Sequence, residues 1–263
     1  MDTTKIIMRS RPTMHDPILI VGLPGIGSVG RLIANHLIKE NKAKRFATLY
    51  STHFPAQVIM TKHGGTRLFN NRFYLIKNKN IKRDIIILTG DCQSVTQEGH
   101  YIVNDKIVDF FKNELNGKLV YTLGGYNIAK RIKEHPRVFG YATSEKAAES
   151  LKAKGVLFGK SRGVIMGSAG LLISFTKEKG IDGVCIMGET LFADVDAAAA
   201  KAVLSVLAKQ LGITTNMQNL DKLIEKTKKA AHEMQLQLQQ MQGAIAAPDQ
   251  PTIQSGENPK YIR

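Results

Sequence analysis

Gly25–x–Gly27–x–x–Gly30 has the spacing with which the amides of a glycine turn and a helix N-terminus hold a pyrophosphate. It stands where that motif belongs, between an apolar run, Ile18 to Val21, and a helix-patterned segment that starts near Val29. An acidic ribose contact should follow about 20 residues later. No Asp or Glu occurs between Glu40 and Asp84, and Pro24 inside the turn is a further departure. Glycines serving a tight turn and close helix–sheet packing explain the run more cheaply. No Gly-Lys-Ser/Thr ending marks a P-loop.

Nucleophiles and metal ligands are equally incomplete. Ser168 has Gly170 two residues after it but Met166 two before, so a hydrolase elbow fails. Cys92 follows Asp91, with His100 eight residues on, which allows a Cys–His pair. No third orienting residue is visible, and a buried structural thiol is the simpler reading. His53, His63 and His100 lack metal-ligand spacing, as do the other four histidines. Glu98, Asp105 and Asp109 read as the solvated face of a helix. Glu189, Asp194 and Asp196 surround a strand-to-helix loop and read mostly as caps. No enzyme constellation emerges, and neither cofactor nor metal is expected.

Charge is the strongest compositional signal. Lys and Arg total 37 against 22 Asp and Glu, and residues 1–90 alone hold 15 basic and 4 acidic side chains. The clusters Lys42, Lys44, Arg45 and Lys77, Lys79, Lys82, Arg83 fall in loops without a helix-turn-helix or RNA-binding signature. Trp is absent and aromatics are 6%, which disfavours base-stacking platforms. A solvated surface or a contact with an acidic protein fits better than nucleic acid.

The elements that must position these residues alternate. Ile18–Val21, Ile85–Leu88, Leu119–Tyr121, Val164–Met166 and Val184–Met187 read as short buried strands. Helix patterns follow at Val29–Leu37, Ile102–Leu115, Ser144–Lys154, Leu171–Phe175 and Asp194–Leu211, the last closed by Gly212. Residues 45–77 turn extended around Gly64–Gly65 and Asn70–Asn71, as an antiparallel insert or meander. This predicts an α/β domain over residues 1–212, a mostly parallel sheet covered on both faces. Hydrophobic residues at 43% suit such a core. Two widely spaced cysteines suit a reducing compartment, so a cytoplasmic protein is expected. No apolar run reaches the roughly 18 residues of a membrane span.

Beyond Gly212, Leu220, Ile224, Thr227, Ala231, Met234, Leu238 and Met241 keep a heptad seam. It predicts a helix over 213–242, packed on its own domain or pairing with another helix. Residues 243–263, rich in Pro, Gly and polar side chains, predict a flexible tail ending Lys260–Tyr261–Ile262–Arg263.

Taken together, the motifs resemble a known family. They are Gly22–Leu23–Pro24–Gly25–Ile26–Gly27–Ser28–Val29–Gly30, Gly90–Asp91–Cys92–Gln93, Leu123–Gly124–Gly125–Tyr126, Gly167–Ser168–Ala169–Gly170–Leu171–Leu172, Gly188–Glu189–Thr190, and Ala198–Ala199 through Val203–Leu204 to Leu207. Their order is similar to that of the archaeal proteasome assembly chaperones. The resemblance implies a three-layer α/β sandwich akin to purine nucleoside phosphorylase without its catalytic equipment. It also implies homo-oligomers, with a tetramer favoured over a dimer, that bind the α-subunits or α-ring of the 20S proteasome without ATP. The seam or the Ala-rich helix face would join the protomers. The rival reading is a nucleoside- or nucleotide-binding enzyme of the phosphorylase-like fold.

The tail is the second point of likeness. Proteasome activators end in a hydrophobic–Tyr–any-residue motif that docks between α-subunits, its carboxylate meeting a pocket lysine. By that likeness Tyr261, Ile262 and Arg263 would be the partner-binding residues. Here Tyr261 is third from the end, and Lys260 stands where an apolar residue is expected. Assembly of the α-ring and opening of its gate both remain open at this point.

Overall fold

The computed structural model describes residues 4–77, 83–128, 135–159, 164–191, 194–227 and 229. The chain divides into two units, residues 1–222 and 223–263. In the first, a nine-stranded sheet runs in the order β1 (Thr4–Met8), β3 (Lys44–Ser51), β6 (Asn71–Ile76), β7 (Ile85–Gly90), β2 (Ile18–Val21), β8 (Leu119–Asn127), β11 (Asp182–Thr190), β9 (Val138–Ala142), β10 (Leu157–Phe158). A separate hairpin pairs β4 (Val58–Met60) with β5 (Thr66–Leu68) across the glycine turn.

Alternation along the strands builds two cores. Ile18 and Ile20 of β2 and Ile85 and Ile87 of β7 face one side, with α1 (Val29–Glu40), α3 (Glu145–Lys152) and α5 (Ala197–Leu211) contributing Ile33, Leu151 and Leu204. Leu19, Val21, Ile86 and Leu88 face the other, with α2 (Gln97–Asp109) and α4 (Ser168–Glu178) contributing Ile107 and Leu172. Strands buried on both faces read as unbroken apolar runs, and helices flank the sheet on each side. The π-helical segment Phe110–Glu114 prolongs α2 and seats Phe111 in the second core.

The sheet is mixed, not mostly parallel as the sequence suggested. β2 pairs in parallel with β7 and β8, and β8 with β11. The extended segment after α1 is antiparallel as expected: β3 and β6 join the main sheet beside β7 and carry β1 at its edge, while β4 and β5 between them form the separate hairpin. On the other side β9 runs antiparallel to β11. Val164–Met166 is not a strand, and Val164 and Met166 are 90% and 77% exposed.

α5 ends where Gly212 adopts the left-handed conformation, φ 65°, as its sequence predicts. Its Ala199 and Ala200 lie fully inside the first core beside Val203 and Leu207. That part of the Ala-rich face is covered by this chain's own fold, while Ala198 and Ala202 are partly exposed. Leu220 is also buried in that core. In the second unit the described helical residues include Thr227, whose hydroxyl donates to the Leu223 and Ile224 carbonyls. The seam positions Ala231, Met234, Leu238 and Met241 lie outside the described residues, as does the tail. No described helix is long and apolar enough to cross a membrane.

Candidate functional site

A cavity of about 280 Å³ opens at the carboxyl ends of β2, β8 and β11, where open α/β sheets receive ligands. The glycine turn forms one wall, Leu123 to Asn127 the floor, and Ser168 and Ala169 at the start of α4 the opposite wall. Val164 and Met166 line it as well while being largely exposed to solvent.

Close packing explains the turn. A Cβ on Gly30 would stand 2.3 Å from the Leu123 carbonyl oxygen, and one on Gly22 would stand 2.2 Å from the Gly30 carbonyl oxygen. α1 thus crosses β8 at a distance only glycine permits. Gln93 joins the two walls: its amide nitrogen donates to the Pro24 carbonyl at 2.6 Å, and its amide oxygen accepts from Ser168 N at 2.8 Å. The latter occupies one of the free amides at the start of α4, whose cap residue Gly167 has no side chain to do so. α1 likewise begins without a side-chain cap, whereas Thr96, Ser144 and Asp196 cap α2, α3 and α5.

The lining is apolar and amide-rich, with Tyr126, Asn127 and Tyr141 as its larger polar groups, and no Asp, Glu, His, Lys, Arg or Cys lines it among the described residues. Such a cavity can hold a neutral small molecule, and among the described residues its lining includes no carboxylate or imidazole.

The other sequence candidates are dispersed. Cys92 is half-buried, and burial, reinforced by the Asp91 charge, pushes its thiol up to about 12. No Cys92–His100 hydrogen bond forms among the described residues. At pH 8 alkylation of Cys92 by iodoacetamide in the folded chain is expected at ~1% or less of the rate of a free cysteine, because only the thiolate attacks. A rate near that of the free amino acid would mean an activated thiol. Asp91 is desolvated, which pushes its carboxyl up. The hydrogen bonds from Arg67 (Nη2–Oδ1 2.9 Å) and the Asn70 amide, with the charge of Arg72, outweigh this and hold it below the ordinary value.

His53 Nδ1 meets the Thr96 hydroxyl at 3.2 Å. Among the described residues no three His, Cys, Asp or Glu side chains are grouped to hold a metal ion. Asp105 and Asp109 share Lys179, each at 2.7 Å. Asp196 caps α5, accepting from Ala199 N at 2.9 Å and from the Thr190 hydroxyl at 2.8 Å.

Glu189 corrects the cap reading. It is fully buried and accepts from Arg137 N at 3.1 Å and from Arg137 Nε at 2.8 Å. The Arg137 guanidinium lies 5.3 Å from the Phe139 ring centroid, and Phe139 packs against Tyr126 at 4.5 Å. Neither this pair nor the Gln93 bridge has a local sequence signal, since their partners lie 52 and 75 residues apart. Tyr261, Ile262 and Arg263 lie outside the described residues.

The cavity lies at the strand ends of a mixed sheet with helices on both faces, and a family model covers that fold. The PAC2 family model matches residues 19–240, and the chain belongs to that family. It is 41% identical to the crystal structure of PbaB of Pyrococcus furiosus, described as an archaeal proteasome activator. That likeness covers 89% of this chain and 100% of the other, with a TM-score of 0.83. PbaA of the same organism, described as an archaeal homolog of proteasome-assembly chaperone, is 27% identical, with 92% and 96% covered and a TM-score of 0.74. An uncharacterized protein of Methanocaldococcus jannaschii is 38% identical over 228 residues, which is 84% of this chain and 86% of that protein.

Proposed function

We propose that this chain is an ATP-independent chaperone or activator that binds the α-subunits of the 20S proteasome and assists α-ring assembly or gate opening. It acts in the cytoplasm as a homo-oligomer, a tetramer in the favoured form and a dimer otherwise. The observation that carries the reading is the 41% identity to PbaB across that whole chain. In this reading Tyr261, Ile262 and Arg263 dock between α-subunits, Tyr261 as an aromatic anchor with a polar tip and the Arg263 carboxylate as the charge. Deleting Tyr261 to Arg263 should weaken α-ring binding ~10-fold or more, since each of several tails raises the effective concentration of the next. One residue added after Arg263 should also weaken it, by displacing the carboxylate. Surface plasmon resonance on immobilised α-rings reads both variants, and parental affinity in both would remove the tail from the contact.

The cavity at the strand ends favours one second reading, a nucleoside- or nucleotide-binding enzyme with the phosphorylase-like fold. A nucleoside panel with inorganic phosphate separates the two: free base released at a rate that changes with Gln93→Ala would support the enzyme and contradict the chaperone.

A further inference from the structure

A second cavity of about 390 Å³ lies on the far side of α1 from the glycine turn, at its C-terminal end, and its charge is one-sided. Lys42, Lys44, Arg45 and Lys77 line it, and among the described residues no carboxylate does. The four come from separate stretches that the fold brings together. Lys42 follows the end of α1, Lys44 and Arg45 open β3, and Lys77 follows β6, whose Leu75 pairs with Lys44. The segment carrying Ser10 and Pro12 closes the cavity, held by the Arg9 amide donating to the Phe46 carbonyl at 2.7 Å.

Among the described residues none of these four cations makes an ion pair, and the nearby carboxylates are engaged elsewhere. Glu40 accepts from Asn216 N at 2.6 Å and faces His36 at 3.3 Å. Asp16 pairs with Arg83 at 2.7 Å, and Asp84 accepts from the His15 amide at 2.7 Å. Like charges held close without a counter-charge repel one another, and an occupant bearing several negative groups relieves that repulsion.

We propose that this cavity is a docking site for a carboxylate-rich segment of a protein partner. Its chemistry points to carboxylates on a peptide and away from nucleic acid. Three of the four cations are lysines, point charges that attract carboxylate and phosphate alike, so the lack of a base platform decides between them. Phe46 at the floor is 2% exposed, so no aromatic face is offered to a base. The site adds a contact by the body of the chain and does not use the tail, so it stands or falls apart from the tail reading.

The test is fluorescence anisotropy of a labelled hexaglutamate peptide with the full chain at low salt. Lys42→Gln, Lys44→Gln and Lys77→Gln are combined in one variant, all three side chains being exposed. The control combines Lys62→Gln, Lys146→Gln and Lys152→Gln, also exposed, which removes the same charge elsewhere. Binding should fall ~5-fold or more in the first variant and less than ~2-fold in the control, with both retaining the parental thermal melt. Equal losses in the two would reduce the effect to net charge and overturn the site. Absence of peptide binding by the parent would overturn it too. A single-stranded RNA oligomer or pyrophosphate that binds more tightly than the peptide, and loses that binding in the first variant only, would overturn the assignment to a protein partner.

Discussion

Gly30→Ala is expected to lower folding stability by about 3 kcal/mol, and Gly30→Val to leave little folded chain. The added Cβ would meet the Leu123 carbonyl oxygen at 2.3 Å, its carbon at 3.1 Å and the Gly22 Cα at 3.2 Å. All are backbone atoms, so no rotamer change relieves the clash, and α1 must lift from β8. That displacement opens the contact of Val29, Ile33 and Leu37 with the first core. Gly124 supplies the contrast from the Leu123–Tyr126 motif: its added Cβ meets only Met187 Cγ at 3.8 Å and Ala169 Cβ at 4.0 Å. Gly124→Ala should therefore change stability by no more than about 0.5 kcal/mol. Urea unfolding of both variants decides the matter. Equal stabilities would mean that the glycine run is not held by packing and would return it to ligand binding.

Glu189→Ala should cost about 2–3 kcal/mol, the second largest effect expected. The carboxylate is fully buried and accepts from the Arg137 amide and Nε. Without it the Glu189 amide still donates to the Arg137 carbonyl at 2.8 Å, but the Arg137 amide and guanidinium lose their acceptor on β11, and the cation beside the Phe139 ring is no longer anchored. Glu189→Gln keeps the shape but only one acceptor oxygen and no charge, so it should fall between parent and alanine. Thermal melts at pH 7 test the order. A glutamine variant as stable as the parent would mean that the charge contributes nothing there.

Periodicity in the sequence is enough to place α1, α5, β2, β7 and β11, because each buries a continuous apolar face or run. It does not reveal which strands become neighbours. The parallel or antiparallel sense of β3, β6 and β9 depends on pairing across tens of residues, and so the sheet is more mixed than alternation implies. β1 escapes notice because Thr4–Met8 is a short edge strand whose outer positions, Lys5 and Ile7, are exposed, while Ile6 and Met8 are only partly buried against the second core. Val164–Met166 misleads in the opposite sense, β-branched and apolar yet placed at the mouth of a cavity. Of the site, the glycine turn and its place between strand and helix are legible from spacing alone. The Gln93 bridge and the Arg137–Glu189 pair are products of tertiary structure. The basic clusters are visible as charge, but only the β3–β6 pairing makes Lys44 and Lys77 neighbours of one cavity.

The central claim, that the chain engages the proteasome core directly, is tested most simply by sedimentation velocity of the purified full chain mixed with isolated α-rings in buffer free of nucleotide. The account predicts that the chain co-sediments with the rings at micromolar concentration, and that adding ATP changes nothing. Separate boundaries for chain and ring at every ratio, or a complex that forms only when ATP is present, would contradict it.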